Sequence, residues 1–502
     1  MKSREKLSSR LGFILISAGC AVGLGNVWRF PYITGQYGGA AFVLLYLVFL
    51  ILLGLPIMVM EFSVGRASQR SAAKSFDLLE PEGTKWHLIK YVCMGGNYLL
   101  MMFYTTVGGW MINYCLKMAS GTFEGLRTEQ VGETFSNMLA SPGQNLFWMI
   151  AITVIGFFIC SRGLQNGVEK MSKYMMSCLF IVMLVLVIRA VTLPNAVEGL
   201  KFYLIPDFQK MMANGLWDAI FAAMGQAFFT LSLGIGALAI FGSYIGKDRS
   251  LLGESLNVCI LDTCVAFIAG LIIFPSCFSF NVAADSGPGL VFVTLPNVFN
   301  AMSGGRLWGF LFFLFMSFAA VTTIIAVFEN IVAFAMDSGW SRKKAVRVNF
   351  ILILLLSLPC AFGFNLLSFI EPLGDGSTIQ DLEDFIVSNN MLPLGSLMYL
   401  LFCTFRYGWG WKNFTDEANS GVGFQFPMWA RFYVSYILPV VVIYIFFQGY
   451  IEKFAKPWNI LIPSVLLLLM IYVPLQAWRK KRANNKNTYC LFYTSPSPRD
   501  CS

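Results

Sequence analysis

Charge is what this sequence has least of: Asp, Glu, Lys and Arg make up 13% of its 502 residues, about half the share of a soluble domain. Histidine occurs once, at His87, which rules out an HExxH metalloprotease, and no GxSxG turn is present to raise a serine nucleophile. His87 falls in a loop between apolar runs and reads as a solvated side chain. The twelve cysteines include no CxxC pair. Most sit in apolar runs (Cys178, Cys259, Cys264, Cys360) and read as small buried hydrophobes rather than as a disulfide framework. These absences argue against an enzyme. No cleavable leader is expected, because the first apolar run is too long and its neighbours continue the pattern.

What is present is hydrophobicity, 57% of the chain. Runs of about 20 apolar residues, enough to cross a bilayer, fall near 11–34, 40–64, 88–116, 145–160 and 172–192. Others fall near 216–244, 255–280, 307–336, 346–366, 384–405, 430–450 and 458–477. Twelve spans place both termini on one side of the lipid bilayer. The net charge of +9 is not a nucleic-acid footprint, because the bases cluster beside spans: Lys2, Arg4, Lys6 and Arg10 at the start, Arg342, Lys343, Lys344 and Arg347 after span eight, and Arg479, Lys480, Lys481 and Arg482 after span twelve. The loop before span ten holds Glu371, Asp375, Asp381, Glu383 and Asp384 with no base. The positive-inside rule then makes the termini cytoplasmic and the protein a multi-pass component of the plasma (inner) membrane.

Span one contains AGCAVGLGNVWRFP at 18–31. Glycine costs about 1 kcal/mol in a helix interior, and bare backbone at membrane depth is tolerated only where it lines a cavity or is buried in protein. A broken helix is expected there. Span six carries a matching interruption, GQAFFTLSLGIG at 225–236. Spans one and six correspond if spans 1–5 and 6–10 are two halves of odd number and therefore opposite topology. Paired breaks of this kind mark a binding site at the bilayer midplane.

Sodium is a hard cation that takes oxygen ligands. Span one offers free carbonyls near Gly19, Ala21 and Val22 and the amide of Asn26. Span six offers Thr230 and Ser232, span seven Asp262, and span eight Thr322 and Thr323 within AAVTT at 319–323. Blander readings compete. Gly19 and Gly23 also fit a GxxxG packing motif, and Thr322 and Thr323 also suit back-bonding to their own helix. Asp262 resists such a reading, because a carboxylate in an apolar span is functional by default. Cys20, inside the break, could be reached from an aqueous pocket.

The runs at 18–31, 229–232 and 319–323 resemble the neurotransmitter:sodium symporter family, and the likeness extends over about 3–478. It implies an all-α, LeuT-type fold of 12 transmembrane helices with a 5+5 inverted repeat (about 11–192 and 216–405), broken helices one and six, a transport core over 11–405, peripheral helices at 430–478 and tails at 1–10 and 479–502. It implies two sodium sites, one on the Ala21 carbonyl, Asn26, Thr230 and Asp262, the other on the carbonyls of Gly19, Val22 and Ala319 with the hydroxyls of Thr322 and Thr323. The L-amino-acid substrate would lie against Ala21, Gly23, Leu24 and Gly25, under Tyr104, with Phe229, Thr230, Ser232 and Thr323 around it and Leu100, Ile235 and Val327 as a side wall. Arg29 with Asp384 resembles the outer gate, and Arg4 with Ser243, Tyr244 and Asp337 the inner one. Glu61 resembles the acid that ties down the unwound part of span six.

Amine-carrying relatives have an Asp where this chain has Gly23, so the substrate is expected to bring its own carboxylate. Chloride-dependent relatives hold the anion near Tyr46, Gln226, Thr230 and two span-seven positions, here Asp262 and Ala266. A fixed carboxylate at Asp262 can supply that charge, so no chloride requirement is expected, with Asp262 open to protonation on the return step. Ile235 and Val327 are smaller than their counterparts in a leucine-carrying relative, which suggests a larger hydrophobic substrate. The resulting expectation is sodium-coupled uptake of a neutral L-amino acid by alternating access; the alternative is a sensor that binds without translocating. Glu329 is a second intramembrane acid, expected to pair with a hydroxyl or a Lys. The last dozen residues match no membrane pattern and read as translated cloning or adaptor sequence.

Overall fold

A computed structural model describes residues 5–213, 215–280, 282 and 289–493; Arg4 and the segment 494–502 lie outside the described residues. Among the described residues the only strand pairing is an isolated bridge between Arg249 and Val422. Ten helices among the described residues are long and apolar enough to cross a bilayer: Ala40–Ser68, Trp86–Ser120, Pro142–Ser161, Leu164–Val191, Leu251–Ser279, Gly305–Asp337, Arg342–Gly363, Ile379–Thr404, Met428–Lys453 and Trp458–Lys480. A pair bent by 57°, Arg10–Ala21 with Gly25–Gln36, forms span one. Span six is Leu216–Thr230 and Ala237–Gly242, separated by the stretch 231–236. The twelve expected spans are accounted for, and both breaks are present.

Span five departs most from its expected bounds, starting at Leu164 rather than near 172. Glu169, Lys170 and Lys173 look like loop residues in sequence. In the fold Glu169 is 1% exposed, accepts from Lys173 Nζ at 2.7 Å and from the Ser8 amide at 2.8 Å. Paired in this way, Glu169 and Lys173 ride within the helix, while Lys170 faces outward.

The chain breaks where its residues allow it. In span one Val22 leaves the helix (φ −68°, ψ 97°), and a wider π-helical turn, Gly25–Arg29, restarts it. In span six Ser232, Gly234 and Gly236 all take positive φ, at 51°, 91° and 71°, a conformation closed to an α-helix. Position 234 must be glycine, since a Cβ there would lie 2.3 Å from the Leu392 carbonyl oxygen. Side chains of other spans meet the freed backbone. Glu61 of span two accepts from the Gly234 amide at 3.3 Å, and Asn97 of span three donates to the Ile235 carbonyl at 2.7 Å. Asn330 of span eight donates to the Gly236 carbonyl at 3.3 Å and to Asn97 Oδ1 at 2.8 Å. Spans three and eight, the most extensively paired helices, thus brace the break.

Replacing Gly234 with Ala should destabilise the fold by about 2 kcal/mol or more, the scale of a strained left-handed residue, before the contact with Leu392 is added. Thermal unfolding of the purified protein reads this directly; an unchanged midpoint would show that the break is not built on this residue.

Candidate ion and substrate site

Asp262 of span seven is fully buried and ties three spans together. Its Oδ1 accepts from Asn26 Nδ2 at 2.8 Å, its carbonyl accepts from the same nitrogen at 3.0 Å, and its Oδ2 accepts from Thr230 Oγ1 at 3.0 Å. Asn26 Oδ1 accepts the Gly23 amide at 3.2 Å, just past the break. No Lys or Arg side chain pairs with Asp262 among the described residues. A hard cation suits this set of a carboxylate, an amide oxygen and a hydroxyl. Beside it, Gln226 donates to the Gly25 carbonyl at 2.9 Å. Tyr46, Gln226 and Ala266 are buried here too.

The second expected ion site is gathered around one hydroxyl. Thr323 Oγ1 lies 3.2 Å from the Gly19 carbonyl, 3.1 Å from that of Val22 and 3.3 Å from that of Ala319. Thr322 instead bonds back to its own helix, at 2.9 Å to the Phe318 carbonyl and 3.0 Å to that of Ala319. The two threonines therefore divide between the readings that sequence left open. A Cβ on Gly19 would meet Thr322 at 3.4 Å, an ordinary contact distance, so packing alone does not demand glycine there.

Between the breaks lies a central cavity of about 20 Å³, lined by Cys20, Ala21, Gly23, Gly25, Leu100, Tyr104, Phe229, Ser232, Thr323, Val387 and Leu392, room for about one water. Tyr104 Oη accepts the Leu24 amide at 2.9 Å. A Cβ on Gly23 would lie 2.4 Å from that hydroxyl and 2.8 Å from Thr323 Oγ1, so the space an acidic side chain would need is already taken. Ile235 and Val327, expected as a side wall, are buried behind the cavity. The left-handed glycines on either side turn Ile235 away, toward Gly96, whose Cβ would meet its Cγ2 at 2.5 Å. Val387 and Leu392 of span ten take that wall instead, and sequence reasoning missed both. Their signal was Pro393, which follows a π-helical turn, Val387–Met391. A proline lacks the N–H that closes an α-turn.

Two larger cavities flank the centre. One, of about 460 Å³, is lined by Arg29, Asp218, Asp384, Ser388, Glu452 and Lys453 among others. The second, of about 400 Å³, lies at the amino-terminal face against Ser8, Arg10, Tyr244, Arg249 and Glu254. Arg29 and Asp384 share the first cavity but form no ion pair. The Arg29 guanidinium lies 4.4 Å over the Phe229 ring, and Asp384 accepts from Ser388 Oγ at 2.7 Å. At the amino-terminal face Asp337 accepts from the amide and hydroxyl of Ser71, at 2.7 and 2.6 Å. Ser243 donates back to the Ile240 carbonyl at 2.6 Å. Tyr244 donates at 3.1 Å to Glu329. Arg4, expected to join them, lies outside the described residues. Glu329 finds an arginine as well as that hydroxyl: Arg342 Nη1 and Nη2 reach its two oxygens at 2.8 and 2.7 Å.

Two spans broken midway, with oxygen groups gathered at the breaks and a cavity on either side, have the architecture of a secondary transporter. The family model described as the sodium:neurotransmitter symporter family matches residues 4–131 and 128–476, and the chain belongs to that family. An uncharacterized sodium-dependent transporter, YhdH of Bacillus subtilis, is 35% identical over 443 residues, 88% of this chain and 96% of the relative. An uncharacterized sodium-dependent transporter of Haemophilus influenzae is 32% identical over 461 residues, 89% and 98% of the two chains. The crystal structure of MhsT in complex with L-phenylalanine aligns with a TM-score of 0.79 at 36% identity, covering 89% of this chain and 100% of that one. The protein is a sodium-coupled membrane transporter of LeuT-type fold.

Replacing Arg342 with Met leaves a buried carboxylate unpaired and should cost about 3–5 kcal/mol; the double variant with Glu329→Gln should recover most of it, as read by thermal unfolding. Replacing Tyr104 with Phe strands the Leu24 amide and should cost about 1–3 kcal/mol while weakening sodium-dependent substrate binding.

Proposed function

We propose that this protein carries a neutral, hydrophobic L-amino acid into the cell together with two sodium ions, by alternating access. The observation that carries the reading is that both expected ion-ligand sets come together at the breaks beside the cavity, which Thr323 lines directly and which Gly25 and Phe229, the chain neighbours of Asn26 and Thr230, also line. Asn26, Thr230 and Asp262 meet on one side, and Thr323 lies among the carbonyls of Gly19, Val22 and Ala319 on the other. These sets hold the sodium ions. The Ala21 carbonyl and the substrate carboxylate complete the first, and Thr322 turns its hydroxyl from its own helix to join the second.

Gly23 leaves the cavity without an acid of its own on span one, so the substrate brings the carboxylate. It lies by the Tyr104 hydroxyl and the amides of Leu24 and Gly25, which also face an anion at a helix start. Leu100, Val387, Leu392 and Phe229 offer its side chain an apolar surround. The solved relative's complex with L-phenylalanine supports that choice. The cavity must widen to admit it, and Phe229, beneath Arg29, is the side chain placed to move.

Sodium binds with the cavity open on the Arg29–Asp384 side, and closure brings those two charges together. Opening at the other end parts the contacts of Tyr244 and Asp337 and frees the second ion between spans one and eight. The bases after spans eight and twelve place the termini in the cytoplasm, so this end faces inward. Each net charge that enters gains about 2.3 kcal/mol per 100 mV of membrane potential.

In proteoliposomes, an inward sodium gradient should drive accumulation of L-phenylalanine or a competing neutral amino acid, and choline in place of sodium should abolish it. Sodium-dependent binding with no accumulation or counterflow would make the protein a sensor instead. Exchanging chloride for gluconate should leave the rate unchanged, because Asp262 supplies the fixed negative charge; Asp262→Asn should bring in a chloride requirement. A wild-type rate that collapses in gluconate would overturn the charge argument.

A further inference from the structure

Glu383 has no part in the transport scheme above, yet it is the least compensated acid among the described residues. It lies in the first turns of span ten, one residue before Asp384, and is 3% exposed. Both of its carboxylate oxygens are buried without a hydrogen-bond partner. The other buried acids are met: Asp262 by Asn26 and Thr230, Glu329 by Arg342 and Tyr244, Glu61 by the Gly234 amide, Glu169 by Lys173 and Ser8. Glu383 faces the Cys360 thiol of span nine, which Thr106 of span three faces in turn, and no charged side chain of either span acts on it. On its own helix, Asp381 is turned back onto the amide and hydroxyl of Thr378. Asp384 points to Ser388 and the 460 Å³ vestibule.

An ionised carboxylate cannot be held in such a place: without a cation or donors it carries the full cost of desolvation, and the group neutralises instead. A neutral carboxylic acid fits, because it carries no charge to desolvate and the Cys360 thiol is the one polar group among the described residues that faces it. We propose that Glu383 is a proton-binding site. It is protonated while the outer end of span ten is packed against spans three and nine, and gives its proton to water as that end moves and the vestibule opens. The O–H bond breaks heterolytically and the carboxylate keeps the electron pair. The sign follows. Protonation favours the packed arrangement, so acid on the vestibule side favours closure and alkali favours opening. Because Asp384 is the next residue, the same movement that presents the gate acid to Arg29 buries and protonates its neighbour. This coupling rests on the proposed alternating access, but the protonation itself does not.

Infrared spectra of the full-length protein reconstituted in lipid, recorded without substrate, separate the two. The carbonyl stretch of one protonated carboxylic acid should be present in wild type at neutral pH and lost in Glu383→Gln, and lost equally in Glu383→Met should the amide fail to fold. Superimposable wild-type and variant spectra would mean that Glu383 is already ionised, and the proposal would fall. Sodium-driven uptake of L-phenylalanine should persist in Glu383→Gln but lose its dependence on vestibule-side pH. A pH profile unchanged from wild type would overturn the coupling. Absence of uptake in wild type itself would count against the substrate reading and leave the infrared result standing.

Discussion

Peptide groups released from a helix at the middle of a bilayer have no water to turn to, and each one left unmet costs several kcal/mol. Most of the polar architecture of this protein answers that constraint. Span one loses its helix at Val22, and its freed groups are taken up by Thr323, Tyr104, Asn26 and Gln226. Span six loses its helix over 231–236, and its groups are taken up by Glu61, Asn97 and Asn330. Glu61 of span two, Asn97 of span three, and Thr323 and Asn330 of span eight are thus explained as surrogates for hydrogen bonds that the breaks removed.

The same economy makes the site adaptable. A hydroxyl within reach of three carbonyls, as that of Thr323 is, can donate to only one of them at a time, and on the proposed reading it can rotate to offer its oxygen to a cation instead. The exchange swaps one set of oxygen contacts for another without moving a helix. Around Asp262 the donors are an amide and a hydroxyl, both of which also carry an oxygen able to face a cation. On the proposed reading, neither ion set needs more than rotation of a hydroxyl or an amide when its cargo leaves, which would keep the alternative arrangements close in energy. A transporter requires that closeness, because a site too stable in one arrangement would bind and never release.

Much of this was legible in the chain, and the reasons differ by residue. Twelve spans follow from hydropathy, and both breaks follow from glycines in apolar runs. A finer signal was present and unused. Five π-helical turns, Gly25–Arg29, Leu50–Gly54, Leu290–Thr294, Val387–Met391 and Tyr433–Ile437, end two residues before a proline: Pro31, Pro56, Pro296, Pro393 and Pro439. The ring removes a donor and crowds the preceding turn, and the helix widens ahead of it. Pro393 in this way marked the bend that carries Val387 and Leu392 into the cavity. What sequence could not provide was direction within a distorted backbone. Ile235 sits between two left-handed glycines, and no helical periodicity applies to a residue so placed. Nor could it pair Glu329 with Arg342, since a base at the start of span nine reads as an orientation signal until its side chain is seen bent inward.

The two ends of the pathway are closed by different physics, and the difference bears on which opens more readily. At the amino-terminal face a fully buried Glu329 holds both guanidinium nitrogens of Arg342 and the Tyr244 hydroxyl, so that end of span six is fixed to spans eight and nine. Parting such a pair exposes desolvated charge on both sides and is costly unless water enters with the movement. At the opposite face, Arg29 rests on an aromatic ring, its Nη1 without a partner, and Asp384 satisfies itself on Ser388. A cation over a ring contributes about 0.5–2 kcal/mol, far less than a buried bidentate pair holds in place. The contacts on the Arg29 side are therefore the weaker of the two, which under the proposed alternating access favours opening at that end when nothing is bound. Ligands that draw span one toward spans six, seven and eight add cohesion around the breaks, so that neither end is favoured by fixed contacts alone. Under the proposed alternating access, cation binding at the breaks is therefore set against one buried ion pair at the amino-terminal face.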